Sequence, residues 1–136
     1  MITIIFACVH NAGRSQMAAA FFNQMCAPKL VRAISAGTRP SDRVHPEVVA
    51  VMREKALDLS TAKPQRLTPE LAAGAAILIT MGCGEECPVV PGVRREDWPL
   101  DDPNGKPVER VREIRGEIEG RVRQLIIAEG WSSEAE

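Results

Sequence analysis

The chain opens on an unbroken apolar and β-branched run, Ile2 to Ala7, that ends at Cys8. Such a run suits a strand buried on both faces of a parallel sheet. His10 to Ser15, with Gly13 among small and polar residues, reads as a tight loop. Gln16 to about Cys26 is a run of helix formers stopped before Pro28. Val31 to Ser35 reads as a second strand, closed by Ala36-Gly37. Pro46 marks a helix start, and Val48, Val49, Val51, Met52 and Ala56 give that helix an apolar face through to about Lys55. Thr68-Pro69-Glu70 opens a short helix with Thr68 as its N-cap. Ala75 to Thr80 reads as a third buried strand, and residues 81 to 92 as a loop rich in Gly, Pro and Cys. A fourth strand over Arg95 to Trp98 precedes a turn at Asp101 to Gly105. The last helix spans Val108 to Ala128, with Val111, Ile114, Ile118, Val122, Leu125 and Ile126 on one face.

Strands alternate with helices throughout, which predicts an α/β fold: a four-stranded parallel sheet with helices on both faces. No repeat or second domain interrupts the pattern, so residues 1–131 read as a single domain and 132–136 as a frayed tail. With 136 residues, 45% apolar and 26% charged, the chain matches ordinary globular domains.

Charge changes the picture only by exclusion. Seventeen basic and 18 acidic residues leave a net charge of −1, so no global field draws the protein to nucleic acid or an anionic membrane. Affinity for an anion must come from a local site. Arg94, Arg95, Arg110, Arg112 and Arg115 alternate with Glu109, Glu113, Glu117 and Glu119, the pattern of a salt-bridged helix. No run approaches the ~18 apolar residues of a membrane span, and the N-terminus lacks the features of a signal peptide. The cytoplasm is the expected compartment. Cys8, Cys26, Cys83 and Cys87 should therefore be reduced there unless chemistry demands otherwise. Cys26, beside Met25, reads as core.

The segment Cys8-Val9-His10-Asn11-Ala12-Gly13-Arg14-Ser15 lies between a buried strand and a helix start. That placement aims backbone N–H groups and the positive helix end at one spot. A tetrahedral oxyanion fits there, held by the N–H groups of Val9 through Ser15 and by a bidentate Arg14 guanidinium. The same field favours the Cys8 thiolate, the nucleophilic form. Ser15 can donate to that sulfur, and Asn11 can tie the loop together. Cys83 and Cys87 have a spacing that zinc also tolerates, but a closed zinc site needs four ligands, and His10 and His45 do not complete one; no metal is expected.

This loop, together with Arg14-Ser15-Gln16-Met17-Ala18, Ser35-Ala36-Gly37-Thr38, Pro46 and Asp101-Asp102-Pro103 in that order, resembles the low-molecular-weight protein tyrosine phosphatases and their relatives, the arsenate reductases. The resemblance covers nearly the whole chain and implies the low-molecular-weight phosphatase fold. Phosphatases of this kind carry tyrosines after the Asp-Pro; this chain has none, and Asn104-Gly105-Lys106 follows Pro103. It has instead the two further cysteines of the reductases, in Thr80-Met81-Gly82-Cys83-Gly84-Glu85-Glu86-Cys87-Pro88. The gap of three residues between them is shorter than in some reductases. Ala19 stands where some relatives place an acidic residue that helps bind potassium, so no potassium site carries over.

The resemblance thus implies arsenate reduction for arsenic detoxification, with phosphate or sulfate as mimics of arsenate. Cys8 would attack arsenic while Asp102 protonates the departing oxygen, with Asp101 as the neighbouring alternative. Cys83 would then attack Cys8, and Cys87 would attack Cys83 to leave a Cys83–Cys87 disulfide. Gly82 and Gly84 would give Cys83 the freedom to move. No cofactor is implied beyond an external thiol reductant: thioredoxin, glutaredoxin with glutathione, or mycothiol with its redoxin. Two loop cysteines favour thioredoxin, and the expected state is a monomer. Two other readings fit part of the pattern, a phosphatase of small or tyrosine phosphoesters and an oxyanion sensor without turnover.

Overall fold

The computed structural model describes residues 1–83 and 87–133. Within them β1 (Ile2–Cys8), β2 (Val31–Gly37), β3 (Ile77–Thr80) and β4 (Arg94–Asp97) form one sheet in the order β2-β1-β3-β4. Every neighbouring pair is parallel. The register sets Cys8 beside Gly37 and Ala7 beside Thr80, so three chain ends leave the sheet at one edge. β1 is central, with its successors on opposite sides. The C-terminal end of β1 is therefore the point where the strand order reverses, which in such sheets opens a crevice for ligands.

Alternation along β1 sorts the core. Ile4, Phe6 and Cys8 face a layer built from α1 (Arg14–Met25), α2 (Pro46–Arg53) and α4 (Val108–Glu129). Ile5 and Ala7 face a smaller cluster with Ala72 of α3 (Pro69–Ala73), Leu67, Cys83 and Cys87. Helices thus cover both faces, unequally. The apolar stripe of α4 is the one its periodicity predicts, with all six expected residues buried.

Several boundaries move. α1 starts at Arg14, two residues before the expected Gln16, because the Met17 N–H already bonds the Gly13 carbonyl at 3.0 Å. β2 runs on through Gly37, and β3 starts at Ile77 rather than Ala75. α2 ends at Arg53, where Ala56 turns left-handed at φ 61° and the Leu57 N–H returns to the Met52 carbonyl. β4 is shifted back by one residue, since Trp98 leaves the strand to pack on Phe6 with ring centroids 5.6 Å apart. Thr68 does cap α3, accepting from the Leu71 N–H. Cys26 lies just past α1 in the core; burial pushes its thiol up, against a smaller opposing effect of its backbone hydrogen bond. Ser132, first of the residues expected to fray, forms an isolated bridge with Cys26. Residues 134–136 lie outside the described residues.

The arginines of α4 are only partly laddered along their own helix. Arg110 reaches Glu113 and Glu117, as the alternation predicts. Arg112 and Arg115 instead converge on Glu54 at the end of α2, at 2.8 and 2.7 Å. Their hydrogen bonds hold the Glu54 carboxyl down to about 2, Arg112 contributing most. A depressed carboxylate stabilises the fold above its unfolded value, near 4.5, and that contribution is lost as pH falls toward 2. Glu54→Gln should therefore melt below wild type at pH 7, with the gap closing on acidification. Melting curves across that range check it; a gap as large at pH 2.5 as at pH 7 would contradict the clamp.

Candidate active site

The loop after β1 is built by its carbonyls. Those of Cys8, Val9, His10 and Ala12 accept from the backbone N–H groups of Thr38, Arg39, Ser41 and His45 at 2.8–3.3 Å. The Asn11 carbonyl accepts from Gln16 Nε2, and that of Gly13 from the Met17 N–H. In a trans peptide the C=O and the following N–H point in opposite directions. Pinning these carbonyls therefore turns the N–H groups of Val9 through Arg14 the other way. α1 follows with no side-chain cap and no acidic residue in its first turn, so its positive end is left uncovered. The result is a ring of donors at the switch point of the sheet, suited to an oxyanion.

Inside the ring sits Cys8, 2% exposed, its Sγ 2.9 Å from Ser15 Oγ. Asn11 Nδ2 donates to the same hydroxyl at 2.7 Å. Asn11 occupies one of the two acceptor positions of the hydroxyl, and Ser15 still has its one proton to give to the sulfur. Asn11 adopts φ 51°, a left-handed conformation that Asn tolerates better than most residues. Its Oδ1 is fixed by the Gln65 N–H at 2.9 Å. His10 stands at the rim, its Nδ1 on the Arg39 carbonyl. Gln16, Gln65 and the Leu100 carbonyl are the site residues that sequence reading missed. Gln16 lay within a quoted motif; nothing in the sequence pattern marks Gln65.

Gly37 is what lets β2 stand against this loop. A Cβ there would lie 2.6 Å from the Val9 carbonyl oxygen and 2.9 Å from the Asn11 nitrogen. Backbone cannot swing aside as a long side chain can, so Gly37→Ala should destabilise by roughly 1–3 kcal/mol. It should also weaken phosphate binding, since the displaced peptides are those that carry the donors. Chemical denaturation and phosphate titration read the two effects; wild-type values for both would refute this role of Gly37.

The Asp101–Asp102–Pro103 turn closes the site. A Cβ on Gly13 would meet Pro103 Cγ at 2.9 Å, so this proline lies directly on the loop. Asp102 Oδ2 stands 3.8 Å from Arg14 Nη2, with the side chain 45% exposed. Asp102 Oδ1 accepts from the Asn104 N–H at 3.0 Å. Asp101 turns away to Arg110, 2.6 Å distant, whose hydrogen bond holds its carboxyl below the usual range. The two adjacent aspartates thus occupy different environments.

Cys83 and Cys87 are joined in a disulfide, with Cα atoms 5.6 Å apart, and both are buried. They are not brought together with His10 or His45. Beside the bridge opens a pocket of about 580 Å³ lined by Thr80, Gly82, Cys87, Val89, Arg95, Asp97 and Pro99. Val89 is among the most exposed apolar side chains of the protein. Trp98 belongs to the core. Gly84, expected to help Cys83 move, lies outside the described residues, as do Glu85 and Glu86. Among the described residues no helix is long and apolar enough to cross a membrane.

Comparison with known proteins gives the family. The sequence profile of the low molecular weight phosphotyrosine protein phosphatases matches residues 3–133. A Halobacterium salinarum protein named "Putative arsenate reductase" is 43% identical over 124 residues, 88% of this chain and 87% of its own. The "Glutaredoxin arsenate reductase" of Synechocystis is 35% identical, with 93% and 97% covered. Among solved structures, the thioredoxin-dependent arsenate reductase of Corynebacterium glutamicum superposes with a TM-score of 0.81 at 38% identity. That match covers 94% of this chain and 61% of the other, so the chain spans under two thirds of the Corynebacterium protein.

Proposed function

The chain belongs to the low molecular weight phosphotyrosine protein phosphatase family, and from that premise we propose that it is an arsenate reductase acting through Cys8, Cys83 and Cys87. Arsenate enters the loop and is held by the N–H groups of Val9 through Ser15 and by Arg14. The Cys8 thiolate attacks arsenic, and one arsenate oxygen departs as water with a proton from Asp102. The Cys83 thiolate then attacks the Cys8 sulfur. A sulfur–sulfur bond forms, the sulfur–arsenic pair stays on arsenic, and arsenite leaves. Cys87 attacks Cys83, freeing Cys8 as thiolate and passing the oxidation to a Cys83–Cys87 disulfide. An external dithiol, thioredoxin or another redoxin, returns that bridge to two thiols. A monomer in the cytoplasm, with no bound cofactor or metal, satisfies these requirements.

The observation that carries this reading is the Cys83–Cys87 bridge in the segment that adjoins Arg14. Phosphoester hydrolysis needs neither cysteine. The relatives named above are also reductases in their printed names. The chain has no tyrosine to grip an aromatic phosphoester.

The test is a trapping experiment. Cys87→Ser given one equivalent of arsenate should release one arsenite and accumulate a Cys8–Cys83 disulfide, seen by mass spectrometry after alkylation and digestion. Wild type should instead show Cys83 paired with Cys87. Full multiple turnover with thioredoxin in the Cys83→Ser, Cys87→Ser double variant would falsify the cascade. Hydrolysis of a small aryl phosphate without arsenate reduction would favour a phosphatase.

A further inference from the structure

The backbone of Gly82 stands against the Arg14 side chain. A Cβ built on it would collide with Arg14 Nη1 and come within 3.3 Å of Cζ. The same position lies 3.7 Å from the Leu100 carbonyl oxygen, to which Arg14 Nη1 donates at 3.0 Å. The guanidinium is therefore lodged between a bare α-carbon and a carbonyl. Its donor edges are not equivalent in this position. Nη1 is committed to Leu100, and Nη2 also faces Asp102 at 3.8 Å. That leaves the Nε/Nη2 edge as the bidentate face for an anion.

We propose that Gly82 is a positioning residue for Arg14: its lack of a side chain seats the guanidinium so that the Nε/Nη2 edge meets the bound oxyanion. The inference rests on the reading of the Cys8–Arg14 loop as an oxyanion site. Gly82 has φ +96°, which glycine adopts freely, so the chain can bring an α-hydrogen rather than a side chain to this contact. The atom that would be struck is the far end of a long, flexible side chain. Arg14 can retreat from a methyl group more easily than the fold can break. The penalty of a substitution should then fall on the orientation of Arg14 and hence on anion affinity. Because Gly82 adjoins Cys83, the seat is carried by the redox segment itself.

The probe is inorganic phosphate, with affinity read by calorimetry and the Arg14 Nε–H resonance followed by NMR. Gly82→Ala should bind phosphate at least tenfold more weakly than wild type and lose the shift of that resonance on titration. With arsenate, the loss should appear mainly in KM. Gly82→Asn, whose side chain tolerates left-handed backbone, should show the same loss, and it serves if the alanine variant does not fold. In an Arg14→Lys background the head group lacks the fork that meets Gly82, so Gly82→Ala should change affinity less than twofold. Equal losses in both backgrounds, or wild-type phosphate affinity in both Gly82 variants, would overturn the proposal. Wild type that binds no phosphate at all would instead bring down the oxyanion-site reading, and the inference with it.

Discussion

Cys8→Ser is expected to lose arsenate reduction entirely while keeping its affinity for phosphate. The substitution exchanges one atom at a position held by β2 through Gly37, one residue after Ala7 pairs with Thr80 of β3. Cys8 sits in the apolar row with Ile4 and Phe6, and serine fills nearly the same space. The donors that would hold the anion are backbone N–H groups and Arg14, and the exchange removes none of them. What changes is the nucleophile. A cysteine thiol ionises far more readily than a serine hydroxyl, which stays un-ionised without an adjacent base. The His10 imidazole does not serve as that base: its ring turns to the Arg39 carbonyl at the rim. Removing a covalent nucleophile lowers turnover on the order of 10⁴- to 10⁶-fold. Thioredoxin-coupled NADPH oxidation in the presence of arsenate measures the loss, and phosphate calorimetry measures what remains. Residual turnover within a hundredfold of wild type would remove Cys8 from the chemistry. Loss of phosphate binding along with activity would show a damaged loop rather than a missing nucleophile.

The part of this site legible in the sequence is the part whose residues are close together in the chain. A buried strand, a glycine and an arginine before a helix place Cys8, Arg14 and Ser15 in one turn of loop, whatever the rest of the protein does. The start of α1 was less legible, because Arg14 and Ser15 look like loop residues until the Gly13 carbonyl is seen to accept the first helical bond. Longer-range partners leave no periodic trace. The Gln65 N–H that fixes Asn11 belongs to an irregular segment, and Leu100 contributes through a carbonyl that every residue has. Charge patterning misleads for a related reason. Arg112 and Arg115 have acidic neighbours along α4, yet α2 presents Glu54 to both at closer range. The strand order β2-β1-β3-β4, which puts the loop at a switch point, follows from the alternation of elements only as one of several permitted arrangements.

The choice between the two adjacent aspartates is where the structure adds most, and Asp102→Asn is the variant expected to show it. Asparagine keeps the shape of the side chain and can still accept the Asn104 N–H that holds the turn. It cannot deliver a proton to the oxygen that leaves arsenic. Positioned proton transfer is worth roughly 10²- to 10⁴-fold, so the rate of the first step should fall by that much with phosphate affinity nearly intact. Pro103, resting on Gly13, ties the turn to the loop and brings Asp102 to the Arg14 side of the site. Asp101 has the wrong neighbour for the task. Its carboxylate is held by Arg110, 2.6 Å away, whose hydrogen bond keeps it below the usual carboxylate range. Asp101→Asn should therefore leave the chemical step near wild type and cost only the exposed contact with Arg110, a pairing of small worth in water. Rapid-mixing measurements of arsenite release in a single turnover, with each variant, separate the two. A larger loss in Asp101→Asn than in Asp102→Asn would move the acid one position back along the chain. It would also require the Arg110 pairing to open when arsenate binds.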